Sequence, residues 1–388
     1  MPVTVTPMHL SSLAFRRRRM TPRERYHAIT HFEEPDRPWV SGEGTWPETE
    51  ARWRKEGWDG RPIHQIFPHD PMLGVPVSAG PWPPFEKKIL KETPETILYV
   101  DHEGILKREF KGDRGWSSMP QFVKFPVDME EDFDRLVGER LAPKLDERFP
   151  KDWEEKVKGW RNRTAPLMYF PDRWGGFFGP LRNLLGLKNL CRAFYEKPEF
   201  VERMMDQRVE VILAILGKLL DDVEIDIFGF WEDMGYRTGP LLGPEMFKEF
   251  MVPRYRIICE YLRSRNVDLV GVDSDGDVRT LIPLWLKAGL NVIWPLEVRS
   301  NMDPRELRRE YGRRLVMFGG IDKQALTRGK AEIEAEVDRV WPVVATGGYI
   351  AHIDHSMPPD ISWENFCHYQ RYRAVKAGFD LGPAAKQV

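Results

Sequence analysis

Short apolar segments alternate with longer amphipathic ones through the second half of the chain, and this alternation restricts the fold more than any other feature. The amphipathic segments begin or end near glycine or proline, as helices do. Continuous apolar strands separated by helices are typical of parallel sheets that are buried on both faces. The predicted strands are 225–231, 267–272, 290–295, 315–318 and 349–353, and the predicted helices are 244–265, 278–288, 304–311, 330–345 and 363–377.

This pattern predicts an α/β protein, namely a (β/α)8 TIM barrel with an elaborated N-terminal segment. A further apolar run at 167–170 follows Pro166, and the strands still missing from a count of eight are expected before it. The competing architecture is an open doubly wound sheet. The sequence lacks a glycine-rich dinucleotide fingerprint, which favours the barrel.

The chain is predicted to form one domain over residues 20–380, followed by a tail at 381–388. Residues 1–19 are interpreted as a disordered N-terminal extension, unless Met20 is the true start. Thr21, Pro22 and Glu24 form a capping box with proline at the first helical position, so ordered structure is expected to begin there. The N-terminal segment is predicted to contain a helix at 47–56 and a hairpin at 97–112.

Composition narrows the class of function. The formal net charge is -2, which favours neither nucleic acid nor an anionic membrane as a partner. The three cysteines are far apart, as in a reduced cytoplasmic protein, and the longest apolar runs are too short to span a membrane. The N-terminus has no apolar region typical of a signal peptide. A cytoplasmic protein acting on a small molecule is therefore expected.

Carboxylates follow five successive predicted strands, and this is the main indication of function. In a parallel barrel the active site lies at the carboxyl ends of the strands. Carboxylates crowded into one mouth repel each other, so they need protons, cations or a metal between them. The residues at these ends are Glu232 and Asp233, Asp273 and Asp275, Glu297, Asp322, and finally His352, Asp354 and His355.

Some of these residues also have a structural interpretation. Asp277 and Asp322 are expected to cap helices or turns, and His352 is equally consistent with a packed, hydrogen-bonded residue. The predicted catalytic residues are His355, Asp273, Glu297 and Asp233. The predicted substrate contacts are Trp46, Trp174, Phe178, Tyr236, Arg237 and His352.

Five segments carry a resemblance to a known family. They are MTPRERYHAITHFEEPDRPW, WEDMGYRTGPLLGPEMFKEFMVPRYR, DSDGDVRTLIPLWLKAGLNVIWPLEV, MFGGIDKQAL and GGYIAHIDHSMPPDISWENF. With these segments the sequence resembles the uroporphyrinogen decarboxylase superfamily from about residue 20 to residue 379. The resemblance implies a (β/α)8 barrel. It also implies one of two chemistries, which are decarboxylation without a cofactor, as in porphyrin biosynthesis, or methyl transfer involving a corrinoid protein and usually zinc.

The sequence departs from both patterns. In place of the arginine-rich substrate loop of the decarboxylases it reads SGEGTWPETEARW, which is acidic. A substrate with many carboxylates needs cationic partners, so this departure argues against a tetrapyrrole. The His-x-Cys zinc motif of the thiol-methylating branch reads Asp273-Ser274-Asp275, and no later cysteine matches.

The resemblance therefore favours a corrinoid-linked methyltransferase or demethylase that acts on a methylated small molecule. Under this hypothesis Glu232, Asp273, Asp275 and His355 are candidate ligands for zinc, and a partner protein carries the corrinoid. A homodimer is common in the superfamily. Two alternatives stay open, a decarboxylase of the uroporphyrinogen type and a barrel that binds a small molecule without turning it over.

Overall fold

The computed structural model describes residues 19–111 and 120–387. Residues 1–18, most of the predicted disordered extension, lie outside the described residues. Among the residues described, no helix is both long and apolar enough to span a bilayer. The strands are β1 Leu73–Gly74, β2 Lys88–Glu92, β3 Thr96–Val100, β4 Leu106–Phe110, β5 Gln121–Lys124, β6 Leu167–Tyr169, β7 Ile227–Trp231, β8 Gly235–Tyr236, β9 Gly239–Pro240, β10 Val270–Asp273, β11 Val292–Leu296, β12 Val316–Ile321 and β13 Tyr349–Ile353.

The helices are distributed along the whole described chain. They are α1 Pro22–Thr30, α2 Pro47–Lys55, α3 Ile63–Ile66, α4 Glu130–Leu136, α5 Leu145–Arg148, α6 Trp153–Trp160, α7 Phe178–Leu185, α8 Leu187–Glu196, α9 Pro198–Asp222, α10 Pro244–Met246, α11 Val252–Ser264, α12 Ile282–Ala288, α13 Pro304–Tyr311, α14 Lys330–Val344, α15 Trp363–Lys376 and α16 Pro383–Gln387.

Seven strands form one parallel sheet in the order β1-β6-β7-β10-β11-β12-β13. An extended segment, residues 39–45, lies between the first and the last of them. The amide of Asp70 donates to the carbonyl of Val40 at 2.6 Å, and Thr45 forms a parallel bridge with Met357. The segment thus occupies the eighth position of a (β/α)8-type barrel. The predicted fold class is confirmed, and the open sheet is not.

Helix α1 closes the amino-terminal end of the barrel. Its capping box is confirmed, since the Thr21 hydroxyl accepts from the Glu24 amide at 3.2 Å and the Glu24 carboxylate accepts from the Thr21 amide at 2.8 Å. Tyr26 and Ile29 then pack into one apolar cluster with the inward-facing side chains of the strands, such as Ile227. A larger cluster fills the space between the strands and the outer helices. Burial at this end leaves the opposite end of the barrel as the open mouth.

Three elements differ from the sequence-based expectation. The helix predicted at 244–265 contains a π-helical turn at Phe247–Met251, because Pro253 has no amide hydrogen to donate to the preceding turn. The predicted hairpin is confirmed as β3 and β4, but it belongs to a four-stranded antiparallel sheet with β2 and β5. Both added strands are exposed throughout, so they show no apolar alternation. The predicted C-terminal tail contains the short helix α16.

Candidate active site

A cavity of about 310 Å³ opens at the carboxyl ends of the barrel strands. Its size is at the lower end of the range for small-molecule sites. Among the described residues that line it, four carry carboxylates and none is a lysine or arginine. The lining comprises Gly42, Glu43, Gly44, Trp231, Asp233, Asp273, Asp275, Trp294, Pro295, His352, Ile353, His355 and Ser356.

The floor of the cavity is the indole of Trp294, which the sequence analysis did not single out. This ring fits inside the barrel because the next two strands on one side, β10 and β7, carry glycine where they face it. A Cβ added at Gly271 would lie 2.1 Å from Cζ3 of Trp294, and one at Gly229 would lie 2.6 Å from Cη2. The signal in the sequence was therefore a glycine at an inward-facing position of each of two consecutive apolar strands.

Asp273 lies at this floor and holds a proton at neutral pH. Removal from water, together with the charges of Asp275 and Asp233, raises the pKa of its carboxyl to about 8 against the opposing effects of Trp294 and His355. A carboxylic acid that stays protonated at pH 7 is a proton donor. The sequence-based prediction that crowded carboxylates would need protons applies to this residue.

Asp275 and His355 form a pair at the mouth. The Nε2 atom of His355 lies 3.4 Å from a carboxylate oxygen of Asp275, and both side chains are about one-third exposed. Hydrogen bonding to Asp275 raises the pKa of His355. The ring of Trp46 meets the imidazole edge to face at 6.5 Å, so this predicted substrate contact is close to the cavity. The pair can exchange protons with solvent next to Asp273.

Asp233 is held in an uncommon backbone conformation, with φ at 43°. Arg182 donates to its carbonyl and to its carboxylate, each at 2.7 Å. Burial raises the pKa of the Asp233 carboxyl, while the Arg182 charge opposes this. The same guanidinium lies 5.3 Å from the ring centroid of Trp231, which lines the cavity. Arg182, which the sequence analysis missed, therefore positions two groups of the wall.

Glu232 is fully buried away from the cavity, and the structure corrects its assignment as a metal ligand. Its carboxyl accepts hydrogen bonds from the amides of Phe177, Phe178 and Gly179 at the start of α7. It also accepts from the hydroxyl of Tyr255 at 2.5 Å. Burial raises its pKa to about 7 against these hydrogen bonds. Its oxygens are thus occupied in joining α7 to β7 and α11.

Three further predicted contacts are structural. Phe178 and Trp174 are buried and do not line the cavity; the Trp174 indole donates to Glu103 at 2.9 Å. Glu297, predicted to be catalytic, accepts from the amide of Gly276 at 2.9 Å and from Lys323 at 3.3 Å. The structure therefore gives Glu297 a role in joining two loops of the rim.

Of the remaining predicted site residues, some line the cavity and others lie outside it. Tyr236 and Arg237 are exposed on the β8–β9 hairpin and do not line the cavity, whereas His352 does. Burial lowers the pKa of His352, which keeps its imidazole neutral. Asp277 accepts from the amide of Arg279 at 3.2 Å, and Asp322 accepts from the amide of Gln324 at 2.9 Å. Both contacts agree with the prediction that these residues cap helices or turns.

Glu43 is a lining residue that the sequence analysis did not identify. It accepts hydrogen bonds from the hydroxyl of Tyr369 at 2.8 Å, from the amide of Ile353 at 3.3 Å, and from Arg373. Its side chain and that of Arg373 are almost completely buried. The acidic stretch around it was noted in the sequence, but only the fold brings it from the N-terminal segment to the last strand.

The predicted zinc site requires its donor groups to lie close together. Within residues 19–111 and 120–387, no three His, Cys, Asp or Glu side chains are grouped so as to hold a metal ion. A catalytic zinc site needs three protein ligands. In this arrangement Asp275 is paired with His355, Glu232 lies elsewhere, and Cys259 and Cys367 are buried. The residues as placed do not form the site, and zinc binding stays an untested prediction.

Comparisons with known proteins find a likeness to one enzyme family. The family described as Uroporphyrinogen decarboxylase (URO-D) matches residues 180–372. A protein described as uroporphyrinogen decarboxylase from Danio rerio is 27% identical over 183 residues, which cover 45% of this chain and 46% of that protein. The match thus spans about half the length of this curated relative.

Two solved structures resemble this one to different degrees. A methyltransferase from Methanosarcina mazei superposes with a TM-score of 0.58 at 14% identity, covering 93% of this chain and 99% of that one. A B12-independent methionine synthase from Shewanella sp. W3-18-1 is also similar, with a TM-score of 0.38 at 12% identity, covering 60% of this chain and 67% of that one. The first likeness supports the barrel architecture over nearly the whole chain.

Proposed function

We propose that the chain belongs to the uroporphyrinogen decarboxylase superfamily, whose family model matches residues 180–372, and that it is an enzyme that removes a methyl group from a heteroatom of a small molecule. The methyl group passes to a corrinoid carried by a partner protein. The observation that carries this proposal is the protonated carboxyl of Asp273 at the floor of a small cavity whose described lining contains no lysine or arginine. Such a group suits a reaction whose leaving atom gains negative charge.

In the proposed step the bond between the methyl carbon and the heteroatom breaks, and its electron pair stays on the heteroatom. Asp273 delivers its proton to that atom, so a full negative charge does not develop inside the barrel. When bound, the corrinoid would supply the nucleophile that accepts the methyl group. The cavity suits an acceptor that approaches from outside, since Asp275 and His355 at its mouth are about one-third exposed.

The other residues have supporting roles in this proposal. The pair of Asp275 and His355 returns a proton from solvent to Asp273 after each turnover. Trp294 and Trp231 exclude water and orient the substrate, and Arg182 keeps the Trp231 wall in place. No step is assigned to zinc, because the residues as placed do not form a ligand set.

Decarboxylation is the second candidate, favoured by the 27% identity to a uroporphyrinogen decarboxylase. In that reaction Asp273 would protonate the carbon that loses carbon dioxide. Uroporphyrinogen carries many carboxylates, however, and the part of the cavity lining that the structure describes has no lysine or arginine. A polyanion would have to bind next to Asp233, Asp275 and Glu43, which costs electrostatic energy. The geometry therefore supports methyl transfer better.

The test is an anaerobic assay with cob(I)alamin as the methyl acceptor and a panel of O-, N- and S-methylated small molecules. Formation of methylcobalamin is followed by absorbance, and uroporphyrinogen is incubated separately. We expect methyl transfer from at least one O-methyl compound. The variant Asp273→Asn should lose about 10²- to 10⁴-fold in turnover, because it has no proton to give.

The matched control is Asp221→Asn, whose side chain on α9 is 71% exposed and far from the chemistry. It should retain wild-type turnover. Consumption of uroporphyrinogen without methyl transfer would replace the proposal with the decarboxylase alternative. Tight binding of a panel compound without any turnover would favour the non-catalytic barrel. Normal turnover in Asp273→Asn would refute the assignment of the acid.

A further inference from the structure

Two arginines are buried behind the mouth of the barrel. Arg148, at the end of α5, is 3% exposed, and Arg208, in the middle of α9, is 0% exposed. Arg148 donates to the carbonyls of Ser78 and Gly80 at 3.1 and 2.7 Å, among others. Arg208 donates to the carbonyl of Ala79 at 2.8 Å. Together the two guanidiniums hold the loop that follows the first strand.

The hydrogen bonds of Arg208 are incomplete. Its Nη2 atom donates to the carbonyls of Ala79 and Trp174, at 2.8 and 2.7 Å. Its Nε and Nη1 atoms are buried without a partner among the described residues. The hydroxyl of Tyr169, which is 0% exposed on the outer side of β6, also lacks a partner there. Buried donors without partners are uncommon in folded proteins and call for a bound group.

The charges in this region are not balanced. Burial lowers the pKa of Arg208 to about 9 and that of Arg148 to about 10, so both stay protonated at neutral pH. The charge of Arg148 contributes to lowering the pKa of Arg208, and Tyr169 affects the pKa of both arginines. The three groups therefore lie near one another. Among the described residues, the carboxylate of Asp172 acts on both arginines and that of Glu147 acts on Arg148, but both side chains are exposed, and Asp172 accepts from the Trp174 amide at 3.2 Å.

Both guanidiniums are buried, whereas both carboxylates are exposed, and no ion pair among the described residues joins either arginine to a carboxylate. A guanidinium charge is costly to bury unless it is paired. We propose that a small monovalent anion, such as chloride, binds beside Arg208, where the Nε and Nη1 hydrogens and the Tyr169 hydroxyl donate to it. A buried water would satisfy a donor, but it would leave the charge unbalanced. The anion joins α9 to the loops after β1 and β6, next to the active site.

The experiment measures unfolding of the full chain by urea in sodium chloride and in sodium gluconate at equal ionic strength, because gluconate is too large to enter. A ligand that binds only the folded state stabilises it by mass action. Above the dissociation constant, each tenfold increase in chloride should raise the ratio of folded to unfolded protein about tenfold. Gluconate should give no such increase.

Two variants and a control complete the test. Arg208→Met should abolish the specific effect of chloride, and Tyr169→Phe, which removes one donor and keeps the ring, should shift the effect to higher chloride. Arg192→Met removes an exposed arginine that pairs with Glu196 on α8, and it should respond to chloride as the wild type does.

If Arg208→Met does not fold, crystals of the wild type grown in bromide decide the question by anomalous scattering. A bromide peak within hydrogen-bond distance of Nε or Nη1 of Arg208 is expected. An ordered water there instead of bromide would overturn the proposal. The proposal would also fail if chloride and gluconate stabilised the wild type equally. Neither outcome bears on the proposed methyl transfer.

Discussion

Substituting Gly271 by alanine should damage both the stability of the barrel and its cavity. The added Cβ would lie 2.1 Å from Cζ3 of Trp294 and 3.1 Å from Cβ of Val292. Ordinary contact begins at 3.4 Å, so the indole has to retreat by roughly 1.3 Å. Overpacking of this kind costs about 1–3 kcal/mol in the free energy of unfolding. Because the indole is the cavity floor, a displacement of this size should lower turnover by about 10²-fold.

Urea unfolding gives the stability, and the methyl-transfer assay gives the turnover. Gly159→Ala is the matched control, since a Cβ there meets nothing within 4 Å and α6 should gain about 0.5–1 kcal/mol. Trp294→Phe removes the ring atoms that the new methyl group meets. The double variant should therefore lose less stability than the sum of the two single losses. If Gly271→Ala had the same urea stability and the same turnover as the wild type, the indole would not fill the barrel as described.

Three further substitutions test the buried acids. The pKa of Asp273 is about 8 in the folded protein and about 4 in the unfolded chain, so the folded protein binds one more proton between these values. In that range the free energy of unfolding should fall as the pH rises, by at most about 1.4 kcal/mol per pH unit. In Asp273→Asn this pH-dependent decrease should be absent. Glu43→Gln leaves the buried charge of Arg373 unpaired and should cost about 3–5 kcal/mol in urea unfolding, whereas adding Arg373→Met should restore part of the loss. Glu232→Gln turns an amide donor toward the amides of α7 or toward Tyr255, and should cost about 1–3 kcal/mol; an unchanged urea midpoint would show that this carboxyl does not anchor α7.

The periodic part of the sequence predicted its own structure well. The strand at Tyr349–Ile353 and the helix at Pro304–Tyr311 lie where the pattern placed them. In these segments the order of apolar and polar residues along the chain reflects burial directly, because each strand is buried on both faces and each helix on one face. The strands β2 and β5 have no such pattern, since they are exposed along their whole length.

The candidate site was predicted less completely. Asp233, Asp273, Asp275, His352 and His355 do come together at one cavity, because the carboxyl ends of parallel strands meet at the same end of a barrel. The pattern did not distinguish residues that face the cavity from those that support it. Glu232 and Glu297 follow strands in the same way, yet backbone amides and other side chains occupy their oxygens.

The sequence by itself determined the class of fold and the end of the barrel that carries the acids, because periodic burial and strand order follow from local side chains. Tertiary structure alone decided which acid keeps a proton, because the pKa of Asp273 depends on burial and on the charges of Asp275 and Asp233. It also decided the cavity floor, where Trp294 meets glycines from two other strands. Distances and desolvation between segments far apart in the chain have no local signature, so only the folded protein sets them.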